Sequence, residues 1–469
     1  MLFWSIQSAR KKKSPLITVS GALKLPVLPH PKPEPVFSLE QAAFALLLIM
    51  GLYFPTSMNG EHSVLSVLIA FALLFLLLAC LAWKHGIRRE VATWVSLPIM
   101  IVLVSCTLFR MVNRPAEFDP GLFIKFSALA LVFALDLRRV HFGGVVNRVF
   151  QAANFVNILV GLAILFGSEW ITEILTKYYW ISEDDLLPAM LRLHKPVLTF
   201  GIHSLAALYL YLFFFVNWED YKRRGSNMSL AFSIGYFILL LGLTSFTSFG
   251  LGALALAQMG VWFWNRNPRM VIAAAICIAA LVPLMVGILA DEIDSSKDLA
   301  QLGKTFLNSE LSGPVARFGP GGELRAEITH LFGHPFSPIG LARSESAFAV
   351  ESPEHFYVGD SGPLEYLTRG SIPLLFLIYF GLYRFLRNNL TLRTHSTVIF
   401  LAILAFETGY SALSSSRTYF LLPFFVVSLN GMALTPDHPW RGYVRRYASQ
   451  RSNVLPARRL DSSRKGQST

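Results

Sequence analysis

From residue 64 to residue 83 the chain carries no charge, and residues 42–54 are the same. A backbone buried in hydrocarbon must satisfy its own N–H and C=O groups, which only helices and closed barrels do. The apolar residues are continuous and not alternating, so the helix is the expected solution, and about 20 such residues suffice to cross a bilayer. Comparable runs recur along the chain. They predict spans near 38–57, 62–83, 91–111, 121–137, 148–167, 196–216, 229–245, 247–264, 270–289, 363–384, 396–413 and 418–434. The expected fold class is an all-α polytopic integral membrane protein with about twelve transmembrane helices. One large external loop precedes the third-from-last helix. Composition agrees: 15% of the residues are charged, against about 25% in soluble domains.

The net charge of +12 is unevenly placed. Lys84, Arg88 and Arg89, then Lys222, Arg223 and Arg224, then Arg384, Arg387 and Arg393 flank alternate spans, and both tails are basic. That is the positive-inside pattern, and it puts both termini in the cytoplasm. It accounts for the basic balance without nucleic acid, for which the chain has neither zinc-ligand spacing nor an RNA-binding aromatic signature. Cys80, Cys106 and Cys277 all fall in predicted spans, which leaves no disulfide scaffold and no cysteine metal site. The chain then divides into a basic, Pro-rich cytoplasmic tail (1–37), a transmembrane region of about nine helices (38–289), an external loop (290–362), three C-terminal helices (363–434) and a basic cytoplasmic tail (435–469). No apolar run follows the first basic cluster closely enough to make a cleavable signal. Residues 168–195, with Trp170, Tyr178, Tyr179 and Trp180, are expected to lie along the bilayer surface.

The polar loop carries the chemistry. It holds Arg317, the run Glu323-Leu324-Arg325-Ala326-Glu327-Ile328, the turn His334-Pro335-Phe336-Ser337-Pro338-Ile339-Gly340, Arg343, His355 and finally Gly359-Asp360-Ser361-Gly362 at the mouth of the next span. The order of these signals over about 240–390 resembles the O-antigen ligase/polymerase superfamily of bacterial envelopes. In that family an Arg, a short helix, a His-Pro-x-x-x-x-Gly turn and a His-Asn or Asp-Asn/Ser pair succeed one another before a span. Two departures stand out. Ser248-Phe249-Gly250 occupies the place of a family Ser-Arg-Gly, and Asp360-Ser361 stands where ligases carry His-Asn. The second departure favours the repeat-unit polymerase branch.

The resemblance implies a membrane glycosyltransferase of the bacterial cytoplasmic (inner) membrane. It would join polyisoprenyl-pyrophosphate-linked oligosaccharide repeats into an exopolysaccharide or O-antigen on the periplasmic side, with no nucleotide, metal or other cofactor. A flippase and a chain-length regulator would be its partners. Charge gathers on the departing pyrophosphate, and Arg suits it because the guanidinium fork binds phosphate oxygens bidentately and stays charged. Arg317, Arg325 and Arg343 in the loop, with Arg369 and Arg417 from neighbouring spans, are the candidates. The acceptor hydroxyl needs a base, for which Asp360, His355, His334 and Glu327 are available. Each residue also has an ordinary role open to it. Arg325 sits between two glutamates, Arg343 is near Glu345, His334 shapes a turn before proline, and Asp360 suits a helix N-cap.

Other readings remain open at this point. One is a ligase acting on a lipid acceptor. Another is a lipid-glycan transporter, which would be expected to show internal repeats, and none is visible. His203 and Glu407 fall inside predicted spans, where ionisable groups are functional candidates. The sequons at Asn227 and Asn389 lie on the predicted cytoplasmic side. The acidic run Glu183-Asp184-Asp185 reads as a solvated turn.

Overall fold

The computed structural model describes residues 39–55, 57–58, 61–62, 64–113, 118–138, 140, 142, 144–179, 187–201, 203–266, 338–341, 362–407 and 411–434. These are predominantly helical. In chain order the helices are α1 (Leu39–Tyr53), α2 (Val64–His85) and α3 (Arg89–Val91), which runs through a π turn (Ala92–Ser96) into α4 (Leu97–Asn113). Next come α5 (Pro120–Ala134), α6 (Gly144–Leu165), α7 (Glu169–Tyr179), α8 (Leu187–Arg192), α9 (His203–Arg224), α10 (Asn227–Gly242) and α11 (Phe246–Arg266). The last three are α12 (Gly362–Asn389), α13 (Arg393–Glu407) and α14 (Ser416–Leu434). A two-residue hairpin, Ser57–Met58 against Glu61–His62, closes the turn between α1 and α2.

Among the described residues, four helices are long and apolar enough to cross a membrane: Leu65–His85, Arg89–Val112, Val145–Leu165 and Glu365–Asn389. The predicted span at 270–289 lies outside the described residues. One predicted boundary moves substantially. The span expected at 196–216 is a helix from His203 to Arg224. Its start is delayed because Leu198 and Gly201 adopt positive φ angles of 53° and 79°, which a right-handed helix does not admit. Its end is extended by pairs at i,i+3 and i,i+4: Glu219 with Lys222 and Arg223, and Asp220 with Arg224. His203 is therefore the first residue of α9 and not a group deep within a span.

α9 is the hub. Every residue from Ser204 to Glu219 is buried, as expected of a helix that is apolar on all sides. Phe213 stacks on Phe150 of α6 and Tyr236 of α10 and meets Phe425 of α14 edge-on. Polar side chains join the same helices. Asn217 and Asn154 bond reciprocally at 3.2 Å, and Tyr236 Oη donates to Asn154 at 2.9 Å. Tyr53 Oη donates to Asn157 at 2.9 Å. In an apolar surrounding such pairs fix which helix faces meet, because the alternative is an unsatisfied amide.

The C-terminal end of α12 is clamped by one side chain. Asn389 is fully buried; its amide donates to Leu135 O, its carbonyl oxygen accepts from Leu137 N, and its own backbone O accepts from Asn430. A sequon asparagine so occupied is closed to glycosylation in the folded chain. Nearby, Arg88 bonds Asp136 and Asn388 O.

At the same end, past the last apolar turn of α9, Glu219 meets His395 Nε2 of α13 at 3.2 Å and also Lys222. Burial alone would raise its carboxyl pKa, but the hydrogen bond from His395 and the Lys222 charge outweigh it, so Glu219 lies below its ordinary value. A depressed folded-state pKa gives stability that is present above the unfolded value and lost as pH falls through the folded one. The thermal midpoint in detergent should therefore drop as pH falls below about 4, the ordinary carboxylate range, and Glu219→Gln should remove part of that acid sensitivity. Parallel acid profiles for the two proteins would refute the assignment.

Candidate functional site

α12 begins at Gly362, directly after the polar loop, and breaks once. Gly370 (φ −150°, ψ 19°) and Ser371 (φ 59°, ψ −165°) leave helical geometry. Pro373 follows and has no N–H to offer the carbonyl of Arg369, four residues back. That place is taken from the loop: Gly340 N donates to Arg369 O at 2.8 Å, and Ile339 N donates to Thr368 O at 2.9 Å. The loop's His-Pro-x-x-x-x-Gly turn thus docks, through its last residues, into the kink of the helix that follows it.

Two further elements hold the same turn. Thr107 of α4 donates its hydroxyl to Leu103 O and accepts from Leu341 N, both at 2.7 Å. Asp119, the N-cap of α5, donates its backbone N–H to Leu341 O at 2.9 Å. Gly340 has φ +60° and no room for a side chain: a Cβ there would overlap Thr107 Oγ1 and stand 2.5 Å from Thr107 N and 2.7 Å from Leu103 O. The glycine of the motif is required both by conformation and by this close approach.

Arg369 sits at the junction, 5% exposed. Its Nε donates to Glu365 at 3.2 Å and its Nη1 to Gly340 O at 3.1 Å. Part of the guanidinium fork is thus committed to holding the turn. Glu365, one helical turn before it, was not singled out from the sequence, although the i,i+4 spacing to Arg369 was the signal available.

A second carboxylate lies at this end. Glu407, the last residue of α13, is fully buried. Oε1 accepts from Leu413 N at 2.8 Å and Oε2 from Tyr379 Oη at 3.3 Å. It lies against the first residue of α12, so close that a Cβ on Gly362 would overlap Oε2 and come within 2.5 Å of its Cδ. A helix N-terminus favours a nearby negative charge. Tyr366 packs edge-on against Tyr379 and its hydroxyl lies 3.2 Å from Ser411 Oγ.

Arg417, in the first turn of α14, turns to the C-terminus of α1. Its Nη1 donates to Leu52 O at 3.3 Å and Thr199 Oγ1 at 3.1 Å, with a longer approach to Gly51 O. The guanidinium covers the rings of Phe200 and Tyr179 at 5.3 and 5.8 Å. A cation at a helix C-terminus bonding the last carbonyls is a cap, and here it also ties α7 to α1. Arg369 and Arg417 are held by separate sets of partners. In the Ser248-Phe249-Gly250 motif, Ser245 and Ser248 cap one another reciprocally at the start of α11, with N–H to Oγ distances of 2.9 and 3.2 Å. Phe249 is 42% exposed.

Asp360, His355, His334, Glu327, Arg317, Arg325 and Arg343 lie outside the described residues. What the structure brings together is the turn 338–341, Glu365, Arg369, Tyr366, Tyr379, Glu407 and Ser411, all around the first three turns of α12 or packed against them. No protein-family model matches the chain, and no curated protein matches it.

Proposed function

We propose that this chain is a membrane glycosyltransferase that polymerises lipid-linked oligosaccharide repeats. The sugar hydroxyl of one lipid-linked repeat attacks the anomeric carbon of the glycan on a second carrier. The bond from that carbon to the pyrophosphate oxygen breaks, the polyisoprenyl pyrophosphate departs, and the hydroxyl proton passes to a base. Asp360, His355, His334 and Glu327 are the groups available as base. Arg317, Arg325 and Arg343 are assigned to the pyrophosphate, where fixed cations act on charge that develops as the bond breaks. Arg369 and Arg417 border the same end of the bundle.

The observation that carries this reading is the seat of the Gly340 turn. The family-like motif order brings an Arg/His/Asp-rich segment next to a span, and the turn in the middle of that segment is held by α4, α5 and α12. The segment's C-terminal end runs straight into α12. Residues 338–341 and the start of α12 thus meet on the same helix.

The test is a deletion strain and three variants. Loss of the gene should leave single lipid-linked repeats on the outer face of the membrane. Arg317→Ala, Arg325→Ala and Asp360→Ala should each stop chain growth at unchanged protein abundance. Repeats trapped on the inner face would replace this reading with a flippase, and full-length polymer from all three variants would remove the site assignment.

A further inference from the structure

The opposite end of α12 carries a groove that the glycosyl-transfer reading does not use. It lies between the π turn following α3 and the last turns of α12, has a volume of about 410 Å³, and is lined by Glu90, Val91, Trp94, Val95, Phe380 and Arg384. The two helices touch at Gly381, where a Cβ would stand 2.7 Å from Val95 Cγ1 and from Phe133 Cδ2. Val91 and Val95 are buried and form the floor. Trp94 is 73% exposed and forms one wall. Phe380 forms the other and is extended by Phe376, stacked on it at 5.5 Å and 64% exposed.

Polarity is graded along the groove. Its floor is aliphatic and its walls are aromatic, on two helices long and apolar enough to span a membrane. Its mouth, at the ends of both, holds one cation and one anion: Arg384 Nη2 lies 3.8 Å from Glu90 Oε2, with the Arg384 side chain 40% and the Glu90 side chain 84% exposed. A pair this long and this exposed contributes little by itself and can open around a guest. The Arg384 guanidinium also lies over the Phe380 ring at 5.8 Å, so the cation is set directly above the apolar wall. An occupant must then offer an apolar body, a phosphate-like anion for the guanidinium fork, and a cationic hydrogen-bond donor for the carboxylate. The volume is in the range of small-molecule sites.

We infer that this groove binds a phospholipid whose headgroup carries both a phosphate and a primary ammonium, with Arg384 on the phosphate, Glu90 on the ammonium and the acyl chains along Trp94, Phe380 and Phe376. Phosphatidylethanolamine has this chemistry. Phosphatidylcholine keeps the charge but has no N–H to donate, and phosphatidylglycerol has no cation.

Native mass spectrometry of the full chain in detergent, with the three lipids at equal concentration and matched acyl chains, tests it. Phosphatidylethanolamine should be retained roughly tenfold over the other two, the size of one charge-assisted hydrogen bond. Glu90→Gln should erase that preference while leaving lipid retention in place. Arg384→Gln and Trp94→Ala should lower retention of all three lipids. Absence of a headgroup preference in the wild type overturns the inference, as does its survival in Glu90→Gln. A preference for phosphatidylglycerol would also overturn it. Should Arg384→Gln fold poorly, Trp94→Ala decides, since the exposed indole can be removed without opening the core, and unchanged retention in that variant rejects the groove.

Discussion

Replacing Gly340 with alanine should destabilise the protein more than any other single-methyl addition at a positive-φ glycine described above and, under the function proposed above, should stop polymer synthesis. An L residue in the left-handed region costs roughly 1–2 kcal/mol. Forcing extra volume into a packed site adds about 1–3 kcal/mol. Here the obstruction includes the backbone N of Thr107 and the carbonyl of Leu103, which cannot swing away as a side-chain tip can. The total expected is about 2–5 kcal/mol, by simple addition of those two ranges. Gly86 provides the control: it has φ +87° and nothing within 4 Å of an added Cβ, so Gly86→Ala isolates the conformational strain. Thr107→Ala should not rescue Gly340→Ala, because it removes only one of the three obstructing atoms and also the hydroxyl that Leu341 N bonds. Thermal midpoints in one detergent compare all four proteins. Equal losses for Gly340→Ala and Gly86→Ala would show that the turn does not sit against α4.

The second large effect is expected at the other attachment of the polar loop, and it is a coupling. Gly362→Ala should displace the Glu407 carboxylate and strand two donors, the buried Leu413 N–H and the partly buried Tyr379 O–H. Each stranded donor costs about 1–3 kcal/mol. Glu407→Ala alone should cost a similar amount for the same reason, but it also vacates the space that the new methyl needs. The double variant Gly362→Ala/Glu407→Ala should therefore be less impaired than the sum of the two singles, with a coupling of about 2 kcal/mol, within the range seen for residues in direct contact. Glu407→Gln, which keeps an acceptor for Leu413, should be milder than Glu407→Ala. Strict additivity in the cycle would mean that Glu407 does not rest on the start of α12.

The helices most legible in the sequence were those in which apolar residues run on without interruption, such as α2, because lipid-facing and protein-facing sides are then both apolar and no other backbone arrangement fits. α9 was misplaced by about two turns at its C-terminal end because its extension relies on charged pairs, Glu219 with Lys222 and Asp220 with Arg224. Hydropathy counts such residues as the end of a span. The glycine of the loop turn was visible as a motif, but its purpose was not. The atoms that exclude a side chain there belong to Leu103 and Thr107, more than 200 positions upstream, and nothing in local spacing points to them. The same holds for Gly362 and Glu407: one reads as a loop glycine, the other as an isolated acid in an apolar run, and only their contact explains either. The sequence offers Arg417 as a cation on a span neighbouring the loop. Its carbonyl and ring partners on α1, α7 and the 199–200 segment are long-range, and the sequence carries no sign of them.

Pro373 has a consequence for the order of assembly. α12 enters the membrane with a carbonyl whose helical donor is absent from its own sequence, and hydrocarbon offers no substitute. The donor is Gly340, which leaves the ribosome before α12 does, and the next residue, Leu341, has its partners, Thr107 and Asp119, on α4 and at the start of α5, made earlier still. The chain can thus build a receptor from two early helices, lay the loop turn into it, and close it with α12 as a keystone. Insertion of that helix and completion of the polar loop's anchorage are then a single event, so an incompletely translated chain has no means of presenting the anchored loop.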